Sequence, residues 1–171
     1  FHASPALAKY YCGALGAGKS STLCVEAYAL SVEFPGNVGL LARDTLPNLT
    51  TTTLQRFLEY VPQDLILDHK KKERTIYLRT VGDKPSRVIY GPLDQIDRYK
   101  SLDLGWWAVD EADAMTEDMF NILVGRLRHP GVRHSGMLAS NPTTTLHWIY
   151  KKFFEGENEI GRASCMERVV G

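Results

Sequence analysis

Residues 13–20 read Gly13-Ala14-Leu15-Gly16-Ala17-Gly18-Lys19-Ser20, which satisfies GxxxxGK[ST]. That pattern carries chemistry only where a strand runs into it and a helix runs out. Both are present: residues 9–12 form a short apolar run, and Leu23, Ala27, Leu30 and Phe34 recur downstream at the spacing of one helix face. Glycines let successive backbone N–H groups converge on phosphate oxygens, and a helix starting near Lys19 adds its positive dipole end to the same anion. The whole stretch of residues 13–20 is therefore expected to cradle a nucleotide's phosphates. Lys19 should reach the β- and γ-phosphates, and the Ser20 hydroxyl should complete a Mg²⁺ shell.

The remaining pattern continues the α/β theme. Pro35-Gly36 stops the first helix, and Val38-Gly39-Leu40-Leu41-Ala42 is apolar throughout, as in a buried parallel strand. Strand, helix, strand implies a right-handed crossover. Leu54, Phe57, Leu58 and Val61 mark a second amphipathic helix, stopped by Pro62. Residues 75–80 and 86–90 alternate with period two around Gly82-Asp83-Lys84-Pro85, which predicts an inserted antiparallel hairpin. Trp106-Trp107-Ala108-Val109 reads as a buried strand that delivers Asp110 and Glu111 at its carboxyl tip, where open parallel sheets bind ligands. A helix with Phe120, Leu123, Val124 and Leu127 on one face follows. Then come a strand at Met137-Leu138-Ala139 and a last helix with Leu146, Ile149, Tyr150 and Phe153. The expected fold is a P-loop NTPase of the ASCE type, a mostly parallel sheet flanked by helices, with the hairpin inserted.

Composition bounds the rest. A chain of 171 residues with 44% hydrophobic residues builds one sizeable core, so one domain is expected. Twenty basic and twenty acidic residues cancel, and any nucleic-acid contact must therefore be local. No apolar run approaches the roughly 20 residues that span a bilayer. The start, Phe1-His2-Ala3-Ser4-Pro5, has neither an initiator methionine nor a signal sequence, so the reading is an intracellular chain cut at its start. Three unevenly spaced cysteines without a CxxC pair offer neither a disulfide framework nor a zinc site; Cys12 and Cys24 read as small apolar groups. Residues 159–169 resemble the conceptual translation of a sequencing adapter, with Met166 departing from it. The domain is accordingly read as 1–157, truncated at both ends, with 158–171 set aside.

Asp110-Glu111 after four apolar residues fits the second nucleotide element: the first carboxylate holds Mg²⁺ and the second aligns and polarises the attacking water. The alternative, a helix cap at a strand end, loses weight with the phosphate loop upstream. Asn141, in Ala139-Ser140-Asn141-Pro142 after another strand, is placed to sense the γ-phosphate; alone, Asn-Pro would be only a turn.

Together with Ala42-Arg43-Asp44-Thr45-Leu46-Pro47-Asn48-Leu49, these motifs resemble the large terminase subunit of tailed viruses, the ATPase that drives double-stranded DNA into procapsids. Further matches are Val109-Asp110-Glu111-Ala112 with a helix leading to Arg126-Leu127-Arg128, and Ser140-Asn141-Pro142, which looks like the family's coupling motif. The resemblance implies ATP and Mg²⁺ as cofactors, a homo-oligomeric ring, a portal, procapsid and small terminase subunit as partners, and the host cytoplasm as location. A nuclease domain follows in that family and is not expected within these residues.

Some terminases carry an arginine inside the phosphate loop, and this loop has none. Arg98 resembles the position from which relatives present an arginine to the neighbouring subunit, with Arg126 and Arg128 as rivals. Lys70-Lys71-Lys72 with Arg74 is the densest basic cluster, either a solvated turn or a contact to DNA phosphates. The five histidines show no metal-ligand spacing. Two other functions fit less well. Asp110-Glu111-Ala112-Asp113 spells the DEAD sequence of helicases, but the helicase Pro-Thr-Arg-Glu pattern is missing. A nucleotide-gated assembly subunit has little need of Glu111.

Overall fold

Trp106 and Trp107 are adjacent in sequence and both fully buried. Successive strand side chains point to opposite faces, so both faces of this strand must be covered. The computed structural model, which describes residues 6–13, 16–140, 148–155 and 161–165 (Glu155 and the last five by backbone alone), shows that arrangement. One apolar cluster holds Tyr10, Leu40, Trp107, Val109, Phe120 and Leu138; the other holds Leu23, Leu41, Phe57, Trp106, Ala108 and Met137. Sequence neighbours such as Leu40 and Leu41 divide between them.

The sheet has eight strands in the order β3-β4-β5-β2-β6-β7-β1-β8. Strands β1 (Ala8–Cys12), β2 (Val38–Arg43), β5 (Ser86–Pro92), β6 (Trp106–Asp110), β7 (Ser135–Ala139) and β8 (Gly161–Cys165) pair in parallel. Strand β7 lies between β1, which feeds the phosphate loop, and β6, which ends in Asp110. This intervening strand is the ASCE arrangement expected from the sequence. Helix α1 (Lys19–Glu33) and the continuous run α2 (Leu46–Asn48), a π segment Leu49–Thr53 and α3 (Leu54–Tyr60) supply Leu23, Leu30, Leu49, Leu54 and Phe57 to the second cluster. Helix α4 (Glu117–Val124) and the residues around α5 (Trp148–Tyr150) supply Phe120, Leu123, Ile149 and Phe153 to the first.

Each tryptophan is admitted by a glycine on the next strand. A Cβ on Gly39 would sit 1.9 Å from Trp106 Cε2, and one on Gly136 would sit 2.3 Å from Trp107 Cζ2.

Three details add to the sequence reading or differ from it. The hairpin is present, with β4 (Thr75–Leu78) antiparallel to β5, but β5 also pairs in parallel with β2. The expected hairpin thus continues the sheet, and β3 (Ile66–Lys70) lengthens it on the outside. Gly161–Cys165, within the stretch set aside, pairs in register with β1 and covers its otherwise open edge. Cys24 packs as a free, buried thiol as expected, whereas Cys12 is disulfide-bonded. Among the described residues no helix is long and apolar enough to cross a membrane.

Candidate nucleotide site

Gly16 and Gly18 adopt φ of 84° and 74°, the left-handed region that glycine enters without steric cost. Gly18 is also the N-cap of α1 and leaves the first turn without a side-chain cap or an acidic residue. The orphan N–H groups of a fifteen-residue helix are thus offered to an anion. The Lys19 ammonium folds back over the loop and donates to the Gly13 carbonyl at 2.7 Å. Ala14 and Leu15, expected in the same cradle, lie outside the described residues.

Across from the loop, β6 ends in Asp110, 3% exposed. Its carboxylate accepts from the Ser20 hydroxyl at 2.9 Å, the Thr53 hydroxyl at 2.7 Å and the Glu111 backbone N–H at 3.2 Å. Ser20 and Asp110, ninety residues apart, are therefore one site. A hydroxyl and a carboxylate are the hard oxygen donors that Mg²⁺ takes, and two suffice because the ion keeps most of its waters and binds substrate phosphates. These two residues would hold it.

Glu111 stands at φ 51°, ψ 54°, one of two non-glycine residues with positive φ among those described. Such backbones are uncommon outside glycine and concentrate at functional positions. The turn exposes its side chain on the same sheet edge as Asp110.

Sequence reasoning missed three residues here. Arg43, at the tip of β2, places Nη2 2.5 Å from Glu111 Oε1 and Nη1 4.0 Å from Asp110 Oδ2, with its side chain 11% exposed. It also donates to Thr52 and, at 3.4 Å, to Thr53. Thr53 itself is buried in the π segment against Asp110. Arg56 of α3 donates to the Ser21 hydroxyl at 3.2 Å. The position of Arg43 at the tip of a central parallel strand is the sequence signal that points to it. The Cys24 thiol, 3.7 Å from the Thr53 carbonyl, is pushed up to about 12 by burial and then by the Asp110 carboxylate.

The arginines singled out in the sequence lie elsewhere. Arg98 is exposed and donates to Gln95 Oε1 at 2.8 Å, in the short helix Leu93–Tyr99 after β5, a strand separated from β6 by β2. Arg126 donates to the Lys100 carbonyl at 2.5 Å and Arg128 pairs with Asp103, both at the amino end of β6, opposite the tip that carries Asp110. Asn141 lies outside the described residues. The preceding residue, Ser140, meets the buried Tyr10 hydroxyl at 3.2 Å, and burial raises the pKa of that phenol.

Comparison with known proteins identifies the family and the fold. The family model for the phage terminase large subunit matches residues 6–169. The PBSX phage terminase large subunit of Bacillus subtilis (strain 168) is 31% identical over 77 residues, 43% of this chain and 17% of that protein. Among solved structures, the large terminase of a thermophilic bacteriophage superposes with a TM-score of 0.77 at 16% identity, covering 95% of this chain and 40% of its own. The large terminase ATPase domain of Thermus phage P74-26 gives a TM-score of 0.65 at 18% identity, over 96% of this chain and 77% of that one. The chain thus spans well under half of the curated relative and of the first of these structures.

Proposed function

Since the chain belongs to the phage terminase large subunit family, we propose that it is the ATPase part of a packaging motor, hydrolysing ATP with Mg²⁺ to move viral double-stranded DNA into procapsids. One observation carries the chemistry: Ser20, Asp110 and Glu111 meet at the mouth of a glycine loop that leads into an uncapped helix. The helix N–H groups and Lys19 hold the β- and γ-phosphates. Ser20 and Asp110 would hold Mg²⁺, which when bound would supply neutralisation of phosphate charge. Glu111 orients water for in-line attack, and its neighbour Arg43 balances the two adjacent carboxylates. Asn141, next to Ser140, is the group proposed to sense the γ-phosphate.

The helicase reading is set aside by the family match. The intact protein is proposed to form a homo-oligomeric ring in the host cytoplasm with portal, procapsid and small terminase subunit, the family's nuclease lying outside residues 1–157. Arg98 of one subunit completes its neighbour's site, in keeping with its exposure and its distance in the sheet from Asp110.

Glu111→Gln should bind ATP with Mg²⁺ yet scarcely release phosphate. Turnover equal to wild type would remove Glu111 from its role. Mixing Arg98→Ala with Glu111→Gln in the full-length protein tests the ring: each is inactive alone, and recovered hydrolysis requires an arginine acting between subunits. No recovery despite proven co-assembly assigns the cation to the same chain, where Arg43 stands ready.

A further inference from the structure

A second concavity opens away from the nucleotide site, between the α2–α3 run and strands β3 to β5. It encloses about 480 Å³, with leucines of the helical run on one wall and His69, Lys71, Arg74 and Tyr90 on the other. No carboxylate lines it. The segment from Asp68 to Arg74 carries four cations and two carboxylates in a chain whose net charge is zero. Glu73 answers Lys70 at 3.8 Å; Lys71 and Lys72 are exposed and make no ion pair among the described residues.

Arg74 is presented by the backbone itself. It sits at φ 52°, its N–H donates to the Lys71 carbonyl at 3.2 Å and its carbonyl accepts from the Tyr90 N–H at 2.9 Å. Its guanidinium is steadied by Gln95 Oε1 at 3.2 Å. The left-handed backbone at Arg74 closes the β3–β4 turn and fixes where its side chain emerges.

We propose that this groove grips the phosphodiester backbone of duplex DNA. The inference rests on the packaging reading and adds the surface that the reading lacked. Cations strung along an exposed turn, Lys71, Lys72 and Arg74, fit a linear polyanion with repeating charge better than a single phosphate. Contacts to phosphate carry no sequence information, which suits a motor that must act on any sequence.

The groove also has a short route to the nucleotide site. Thr50 lines it, and Thr53, three residues on in the same π segment, donates to Asp110. π segments inside α-helices are frequent at functional sites. DNA pressed against this helix therefore bears on the residue that orients the Mg²⁺ carboxylate, and duplex DNA should stimulate hydrolysis.

The test uses the full-length protein and a fluorescent 30-bp duplex of arbitrary sequence. Lys71→Glu/Lys72→Glu is compared with Lys84→Glu/Arg79→Glu, which makes the same net-charge change on exposed residues at the far end of the β4–β5 hairpin. Melting curves confirm that both fold as wild type. The groove pair should weaken duplex binding roughly ten-fold or more at 0.1 M salt, and should flatten the log K against log salt slope by about 0.9 per lost contact. It should abolish DNA stimulation of phosphate release while leaving the basal rate and fluorescent-ATP binding intact; the control pair should change none of these. Equal effects of the two pairs, no effect of either, or a preference for single-stranded RNA overturns the groove. If ATP hydrolysis is normal in that case, the ATPase reading stands alone. If wild type binds duplex through the groove but hydrolyses nothing, the ATPase reading falls and the groove stands.

Discussion

The parallel half of the sheet and its antiparallel extension solve opposite problems. At the carboxyl tips of β1, β2 and β6, charged groups are close and paired: Asp110 accepts three hydrogen bonds and Arg43 faces both carboxylates. In the extension, β3 is largely exposed and the cations of its turn have few protein partners. Buried polar networks hold a fixed geometry because an unpaired member is costly. Exposed, weakly paired charge remains available to an outside polyanion. One half is built for chemistry at a fixed point, the other for contact with something long.

The largest separation of the two halves should come from lysine substitutions. Lys19→Ala should lower turnover by on the order of 10³, judged by the scale of phosphoryl-charge stabilisation, and should also weaken nucleotide binding, read by fluorescent ATP. Lys72→Ala, in the extension, should leave both at wild-type values without DNA. A comparable basal defect from Lys72→Ala would erase the distinction.

Stability gives the next contrast. Gly39→Ala and Gly136→Ala place a Cβ inside the ring contact of a buried tryptophan on a central strand. Overpacking there should cost at least about 1–3 kcal/mol, seen as a shifted urea midpoint. Val81→Thr, 78% exposed in the turn after β4, should stay within about 0.5 kcal/mol.

A smaller effect belongs to Thr53→Val, which removes one donor from buried Asp110 and leaves two. Hydrogen bonds to charged groups contribute about 1.5–3 kcal/mol, and the remaining donors should hold the loss near the lower end. Phosphate release should fall with it, since Asp110 loses one of its orienting contacts. Unchanged stability together with unchanged turnover would show that Thr53 is incidental to the site.

The parallel half was largely legible in the sequence because its signals are local and reinforce one another. The glycine loop, an apolar run ending in Asp110-Glu111, and helix-spaced leucines each point to the same sheet edge. Strand β3 was not legible: Ile66-Leu67-Asp68-His69-Lys70 shows no alternation, because an edge strand solvated on both faces is under little pressure to alternate. Arg43 was missed for another reason. Its partners lie at and just beyond the end of β6, 67 and 68 residues away in the chain, and the β2–β6 pairing brings them together. Likewise Thr53 needed the fold of the π segment to meet Asp110.

The smallest effect expected is a pH dependence confined to the extension. His69 lies on β3 with its ring 5.7 Å from that of Tyr90 and its Nε2 3.0 Å from the Tyr90 hydroxyl. Burial lowers its pKa from the ordinary 6.5, Lys71 lowers it further, and Asp68 opposes the shift. A histidine that resists protonation when folded binds fewer protons than in the unfolded chain. Its stabilising contribution is therefore intact above about 6.5 and is lost as pH falls below that value through the folded pKa. Because His69 is only partly buried, solvent screening keeps the effect small. Between pH 7.5 and 5.5, His69→Gln should remove a shallow acid-side decline in the urea midpoint while leaving the neutral value almost unchanged, and it should do so without altering ATP binding at pH 7.5. An identical decline in wild type and variant would show that the acid sensitivity does not arise at His69.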